Sequence, residues 1–319
     1  MKILIISGFL GAGKTTFIKS MVKKTGRQFV VVENEFGDVS VDGPLLSARE
    51  QQEAQPPTIW ELTEGCICCS MKLDFSNSVM TIANSLNPDY LIVEPSGVAF
   101  LGPILDNLKK ICYGEAIQLL KPVTLVDYQH YKNSMVDYKD CITDQASHAG
   151  WVLLSKSESC HKDVFTEFAS EVHAWNPASS VPDCHYEMLP RSWWKALLET
   201  PLDPSSVEPA PQVNEDRRPK LQQISFTDVK IPDIPTLVSI LGRLTSLIEG
   251  KIIRAKGFFP MGDEWIRFDV VENTYEIRAT DVMDDSRMIL IGRGLNVQQL
   301  EDMWNATAVV AEEDEDETT

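Results

Sequence analysis

The chain of 319 residues is short of positive charge: 29 lysines and arginines stand against 47 acids, a formal charge of -18. A polyphosphate surface needs clustered Lys and Arg, so DNA and RNA are excluded as main partners. An anionic membrane surface is excluded on the same ground. A single nucleotide is not, because it needs only a local anion site. Long hydrophobic runs are also missing. Met1–Leu10 is apolar but too short to span a bilayer and has no small-residue cleavage pattern, so neither a membrane span nor an export signal is expected. A disulfide framework is missing as well, since the seven cysteines are odd in number and three of them crowd into residues 66–69. The expected compartment is therefore the reducing cytoplasm. There is no His-rich tract and no internal repeat.

What is present describes a folded protein. A hydrophobic share of 43% with 24% charged residues is ordinary for a globular chain, and the length suits two domains. Over residues 1–200, β-branched runs alternate with amphipathic stretches. Strands are expected at Lys2–Ser7, Gln28–Asn34, Thr58–Thr63, Tyr90–Glu94, Pro122–Asp127 and Trp151–Ser155, with helices at Thr15–Lys24, Leu73–Leu86 and Lys162–His173. The strands are near-continuous apolar runs, which predicts a parallel sheet flanked by helices, an α/β domain. Residues 201–219 hold five prolines and read as a linker. Residues 220–307 predict a small α+β domain with a meander sheet. Its expected elements are a strand at Leu221–Val229, a helix at Thr236–Glu249, strands at Ile252–Phe259, Trp265–Val271, Thr274–Ala279 and Met288–Gly292, and a last helix at Val297–Trp304. Residues 308–319 contain six consecutive acids, Glu312–Glu317, and are expected to be a disordered acidic tail.

Gly8-Phe9-Leu10-Gly11-Ala12-Gly13-Lys14-Thr15-Thr16 matches the P-loop pattern in full, after a buried strand and before a helix. Glycines at 8, 11 and 13 let backbone N–H groups, including those of Ala12 and Thr16, converge on phosphate oxygens, and the helix N-terminus favours their charge. Lys14 is the candidate for the β- and γ-phosphates, and Thr15 for Mg²⁺. Other polar clusters follow predicted strands and should share that sheet edge. Among them, Glu94 is the expected acidic partner of Mg²⁺ or its water. Gly97 is placed to let backbone approach the γ-phosphate.

Ser155-Lys156-Ser157-Glu158 resembles the Asn-Lys-x-Asp base-reading element of GTPases, with Ser for Asn and Glu for Asp. A carboxylate at 158 accepts from guanine N1–H and N2–H₂, a donor pair adenine does not offer, and Lys156 can pack along the base. This favours GTP over ATP. Cys66, Cys68 and Cys69 form a second sharp feature: three thiols that suit Zn²⁺ and leave a coordination position open, as a site that gives metal away requires. A buried apolar cysteine cluster or a redox pair is the alternative. Glu35 is a candidate extra ligand, against simple surface solvation. Cys160-His161 and Cys184-His185 are weighed as a second metal site against coincidental core cysteines.

Together these residues resemble the CobW-like P-loop GTPases, a family of metal-cofactor maturation and metal-trafficking proteins. The resemblance is carried by Gly8–Thr16, Asn34-Glu35-Phe36-Gly37 with Asp42, Cys66-Ile67-Cys68-Cys69, Glu94-Pro95-Ser96-Gly97, Thr124-Leu125-Val126-Asp127 and residues 145–158. It extends to Ile253-Arg254-Ala255-Lys256-Gly257-Phe258 in the second domain. It implies a P-loop sheet and a slow GTPase that uses Mg²⁺ with GTP. Its nucleotide state would be coupled to Zn²⁺ or Co²⁺ on the thiols, and a client metalloprotein or corrinoid protein would be its partner. Ordering of residues 33–42 and 66–72 by the γ-phosphate would carry the coupling. Two other readings stand beside it: an ATP-dependent kinase, because a P-loop alone does not choose the base, and a nucleotide-gated adaptor without turnover.

Overall fold

A computed structural model of the chain describes residues 1–33, 58–61, 72–111, 116–203, 221–246, 250–283, 285–304 and 308–310. Two compact units are seen, meeting in the chain at Pro219/Lys220. The first contains, in order, β1 (Lys2–Gly8), α1 (Lys14–Thr25), β2 (Val30–Glu33), β3 (Thr58–Glu61), α2 (Lys72–Leu86), β4 (Tyr90–Glu94) and α3 (Leu101–Lys109). It continues with β5 (Gln118–Leu119), β6 (Val123–Asp127), α4 (Tyr131–Ser147), β7 (Trp151–Ser155), α5 (Lys162–Trp175), a 3₁₀ turn (Tyr186–Met188) and α6 (Arg191–Glu199). Its sheet runs β3-β2-β4-β1-β6-β7, with the short β5 also paired to β1. All these pairings are parallel.

The apolar run of β1 explains the layering. Ile3 and Ile5 join one cluster, with Ile104, Leu105 and Leu108 of α3 and Phe165 and Phe168 of α5. Leu4 and Ile6 point the other way, into Phe17, Ile18 and Met21 of α1 and Trp194, Leu197 and Leu198 of α6. A strand buried on both faces must be apolar throughout, and both faces carry helices. The expected α/β class is what the structure holds. The start of the expected linker is a correction: Leu202 N donates to Leu119 O at 2.8 Å and Pro201 bridges Leu120, so residues 201–202 extend the β5 edge.

The second unit holds β8 (Gln222–Thr227), α7 (Ile234–Leu244), β9 (Lys251–Met261), β10 (Glu264–Val271), β11 (Thr274–Thr280), β12 (Arg287–Arg293), α8 (Val297–Trp304) and β13 (Ala308–Val310). Its antiparallel sheet is ordered β11-β10-β9-β12-β8-β13. β9 to β11 form the expected meander. β12 then returns to the free edge of β9, where Leu290 pairs Ala255 on one side and Ile224 on the other. Helix α7 starts at Asp233, whose side chain accepts from Thr236 N at 2.8 Å, with Pro in the first turn. It lays Leu237, Ile240, Leu241 and Leu244 on the sheet. β13 falls inside residues 308–319, expected to be wholly a disordered tail. Val309 pairs Ser225 there, so three of those residues belong to the sheet. Among the described residues no helix is long and apolar enough to cross a membrane.

Candidate functional site

The P-loop lies between β1 and α1, at the carboxyl end of the parallel sheet. Gly8, Gly11 and Gly13 have φ of 144°, 79° and 84°, values that side chains rarely allow. A Cβ on Gly8 would also stand 2.5 Å from Leu125 O, so the loop can start only where a glycine lets β6 approach. Gly13 is the N-cap of α1 and supplies no side-chain cap, which leaves the first-turn N–H groups facing the loop. Lys14 Nζ donates to Gly8 O at 3.1 Å, curling back along the loop. Thr15 Oγ1 donates to Glu94 Oε1 at 3.3 Å, joining the first turn of α1 to the end of β4. Glu94 is buried, and its register partner on β2 is Glu33, which in turn pairs Glu61. Three adjacent strands, β4, β2 and β3, therefore end in glutamate, and Glu94 is the one that contacts the first turn of α1.

The sequence residues Gly8, Gly11, Ala12, Gly13, Lys14, Thr15 and Glu94 are thus brought together, and Thr16 is exposed one residue further along α1. Gly97 is brought to the same loop: a Cβ there would stand 2.6 Å from Leu10 N. The turn after Glu94 therefore rests directly on P-loop backbone. It is held by Gln145 of α4, whose Nε2 donates to Gly97 O at 3.0 Å and Ala99 O at 2.9 Å.

Among the described residues Ser155 makes only local hydrogen bonds. Its hydroxyl donates to Ala12 O at 2.7 Å, with Val126 O at 3.2 Å, so it braces the P-loop against β7 and has no proton left for a base. Lys156 follows with a left-handed φ of 53°, and its ammonium sits 2.7 Å from Asp127 Oδ2. Asp127, at the end of β6, also meets His130 Nδ1 at 2.9 Å and accepts from Gln129 N at 2.8 Å. Burial pushes its carboxyl up, but the His130 and Lys156 partners outweigh that and hold it below the usual carboxylate range. Glu158 is exposed, with Oε1 3.4 Å from Nε2 of the buried His185.

Cys66, Cys68, Cys69 and Glu35 lie outside the described residues, as do residues 34–42 and 66–71 of the segments expected to switch. Among the described residues, Cys160-His161 and Cys184-His185 are not gathered into a group that could hold an ion. Among the described residues no three His, Cys, Asp or Glu side chains gather to hold an ion.

Residues 2–182 match the family model described as CobW/HypB/UreG, nucleotide-binding domain. The chain belongs to this family. Residues 221–308 match a second model, the cobalamin synthesis protein cobW C-terminal domain. Similar curated proteins include a zinc chaperone CobW of Sinorhizobium, 40% identical over 103 residues, 32% of this chain and 29% of that protein. Another is the zinc chaperone YjiA of Escherichia coli, 32% identical over 165 residues and 49% of each chain. The zinc-regulated GTPase metalloprotein activator 1 of Dictyostelium discoideum is 32% identical over 151 residues, 45% of this chain and 30% of that one. The chain thus spans about half, or less, of the length of these relatives. Among solved structures, Zn(II)-bound YjiA GTPase from E. coli aligns over 96% of this chain and 98% of that one, with 22% identity and a TM-score of 0.41.

The partners of three residues at the site were not anticipated from the sequence. Asp127 was expected on the P-loop edge with Ser155 and Lys156, and the parallel register that sets it beside Ser155 makes it the partner of Lys156. Gln145 was noticed only as the start of residues 145–158, which carry part of the family resemblance, with no role of its own. His185 was noticed only beside Cys184, as a metal candidate; its Nε2 lies 3.4 Å from Glu158 Oε1.

Proposed function

We propose that the chain binds and slowly hydrolyses GTP, and that its nucleotide state governs the holding and release of a divalent metal, zinc in the first instance. The observation that carries the nucleotide half is the Thr15–Glu94 contact of 3.3 Å beside a P-loop of three left-handed glycines. A hydroxyl donor beside a buried carboxylate at the mouth of a phosphate cradle suits Mg²⁺, which takes few protein oxygens and keeps several waters. Mg²⁺ would be held by Thr15, with Glu94 as its acidic neighbour, and would supply charge stabilisation to the β- and γ-phosphates. Lys14, released from Gly8 O, would reach the same oxygens. The Glu158 carboxylate supports guanine, because two adjacent N–H donors on the base match one acceptor group. It weighs against an adenine-specific kinase.

The metal half rests on Cys66, Cys68 and Cys69 and on the names of the relatives, which are zinc chaperones and a zinc-regulated activator. The metal is cargo, and the receiving client is a metalloprotein or a corrinoid protein. Coupling would run through the turn after Glu94, where Gly97 rests on Leu10 of the P-loop. A γ-phosphate ordered by that loop would also order the residues leading to the thiols.

Titrating Zn²⁺ and, separately, Co²⁺ into the protein with GDP, and again with a non-hydrolysable GTP analogue, tests the coupling. The two nucleotide states should differ in metal affinity by at least fivefold, in the range of ordinary coupling free energies. Each of Cys66→Ala, Cys68→Ala and Cys69→Ala should weaken binding. Equal affinity in the two states, or wild-type affinity in all three variants, defeats this reading.

A further inference from the structure

We propose that His185 is a positioning residue of the base pocket, fixing the Glu158 carboxylate in the pose that accepts guanine's two donors. The inference deepens the GTP reading above and rests on it. The imidazole is 2% exposed. Its Nδ1 accepts from Glu187 N at 3.4 Å, so the single proton of the neutral ring belongs on Nε2. That buried Nε2 has no hydrogen-bond partner among the described residues, and it lies 3.4 Å from Glu158 Oε1. An orphaned buried donor is costly, and the carboxylate beside it can relieve the cost with a small rotation.

The ring itself cannot swing. It packs against Tyr186 with centroids 4.1 Å apart and ring planes tilted by 37°, and Tyr186 meets Phe17 of α1 edge-on at 5.1 Å. The imidazole is thereby seated on the helix that follows the P-loop. The charged groups that face it are Glu158, with a 69% exposed side chain, and Glu187, which pairs with Lys24 at 3.0 Å. Burial outweighs both carboxylates and pushes the imidazole below the usual histidine range, so the ring stays neutral at pH 7 and keeps its one directed donor.

The need for such an anchor follows from the side chain at 158. Glutamate has one more rotatable bond than the aspartate of the GTPase element it resembles. An exposed carboxylate with that freedom loses conformational entropy when it must meet two donors at once. A hydrogen bond from a rigid imidazole confines it in advance, which raises affinity without any new contact to the base.

The test is a set of dissociation constants for GDP and ADP with Mg²⁺ by calorimetry, for wild type, His185→Phe, His185→Gln, Glu158→Gln and the double variant H185F/E158Q. His185→Phe should weaken GDP by about tenfold, the scale of a hydrogen bond to a charged group, and leave ADP unchanged. His185→Gln, whose amide nitrogen reaches close to the position of Nε2, should restore most of the GDP affinity. On the Glu158→Gln background, His185→Phe should add nothing further. Nitrogen-15 shifts of His185 in the wild-type protein supply an arm independent of any variant: the Nε2–H tautomer is expected, with a shift on adding GDP and none with ADP. Equal losses for GDP and ADP in His185→Phe, a full additional loss on Glu158→Gln, or the Nδ1–H tautomer overturns the proposal while GTP binding stands. Equal wild-type affinity for GDP and ADP, unchanged in Glu158→Gln, removes the guanine reading and this inference with it.

Discussion

At the scale of single residues, this molecule repeatedly uses one side chain to complete another element's hydrogen bonding. Asp144 is the plainest case. Helix α3 begins at Phe100, which has no capping side chain, so its first N–H groups need an acceptor from elsewhere. Asp144 Oδ2 accepts from Leu101 N at 2.6 Å and Gly102 N at 3.3 Å. Its other oxygen lies 3.2 Å from His148 Nδ1. Burial would push His148 down, but Asp144, with Asp106 behind it, raises the imidazole above its ordinary value of 6.5. A folded-state pKa above the unfolded one means the stabilisation is fully present below about pH 6.5 and is lost as pH rises through the folded value. The free-energy gap between wild type and His148→Asn, measured by urea unfolding across pH 5.5 to 9, should therefore shrink as pH rises. A gap that is constant or widens would show that the pair does not act this way. His185, with its lowered pKa, works in the opposite window, losing its contribution as pH falls below its ordinary range. It is intact in both proteins and cancels in the comparison.

At the scale of elements, α4 carries more of the site than its sequence reveals. Tyr138 leaves helical geometry at φ -126°, ψ 26°, and its ring stacks on Phe9 of the P-loop at 4.9 Å. Two turns on, Gln145 holds the carbonyls of Gly97 and Ala99, and Cys141 Sγ lies 3.5 Å from Val98 O. One helix thus supports both the phosphate loop and the turn that follows Glu94. Gln145→Leu keeps the volume but strands two buried carbonyls. At about 1–3 kcal/mol for each unsatisfied group, it should lower the unfolding free energy by about 2–6 kcal/mol in urea denaturation. A loss below about 0.5 kcal/mol would mean the turn is held by other contacts. The same helix shows why some elements were legible and others not. α1 buries Phe17, Ile18, Met21 and Val22, and α7 buries Leu237, Ile240, Leu241 and Leu244; both apolar stripes stand out in the sequence. α4 buries Ser134, Tyr138 and Gln145 alongside Ile142, so its inward face does not read as apolar. The P-loop and Glu94 were legible because glycine spacing and a strand-ending acid are local signals. The pairings Ser155–Ala12, Lys156–Asp127 and Glu158–His185 depend on strand order and on chain returns of up to 143 residues, which no local pattern encodes.

At the scale of the whole molecule, the question is whether the two units unfold as one. Each has its own closed set of buried apolar residues. The first unit's clusters are built around the two faces of β1, and the second unit's gathers Phe226, Phe259, Phe268 and Trp304 between its sheet and helices α7 and α8. The stacked pair Phe268–Trp304, at 5.7 Å, belongs wholly to the second unit. Domains with separate cores need not share a transition, and a ligand stabilises only what unfolds with its site. If the nucleotide binds at Gly8–Thr15, GDP with Mg²⁺ at a hundred times its dissociation constant adds about 2.7 kcal/mol to the unit that holds the loop. Amides of β1, β4 and β6 that exchange only by unfolding of that unit should then slow by about a hundredfold in hydrogen–deuterium exchange. Amides of β9 and β12 should keep their rates. Equal slowing in both sets would show a single cooperative molecule, in which nucleotide binding is felt throughout the C-terminal sheet. Unequal slowing, as expected here, would show that nucleotide stabilises only the unit that holds the loop.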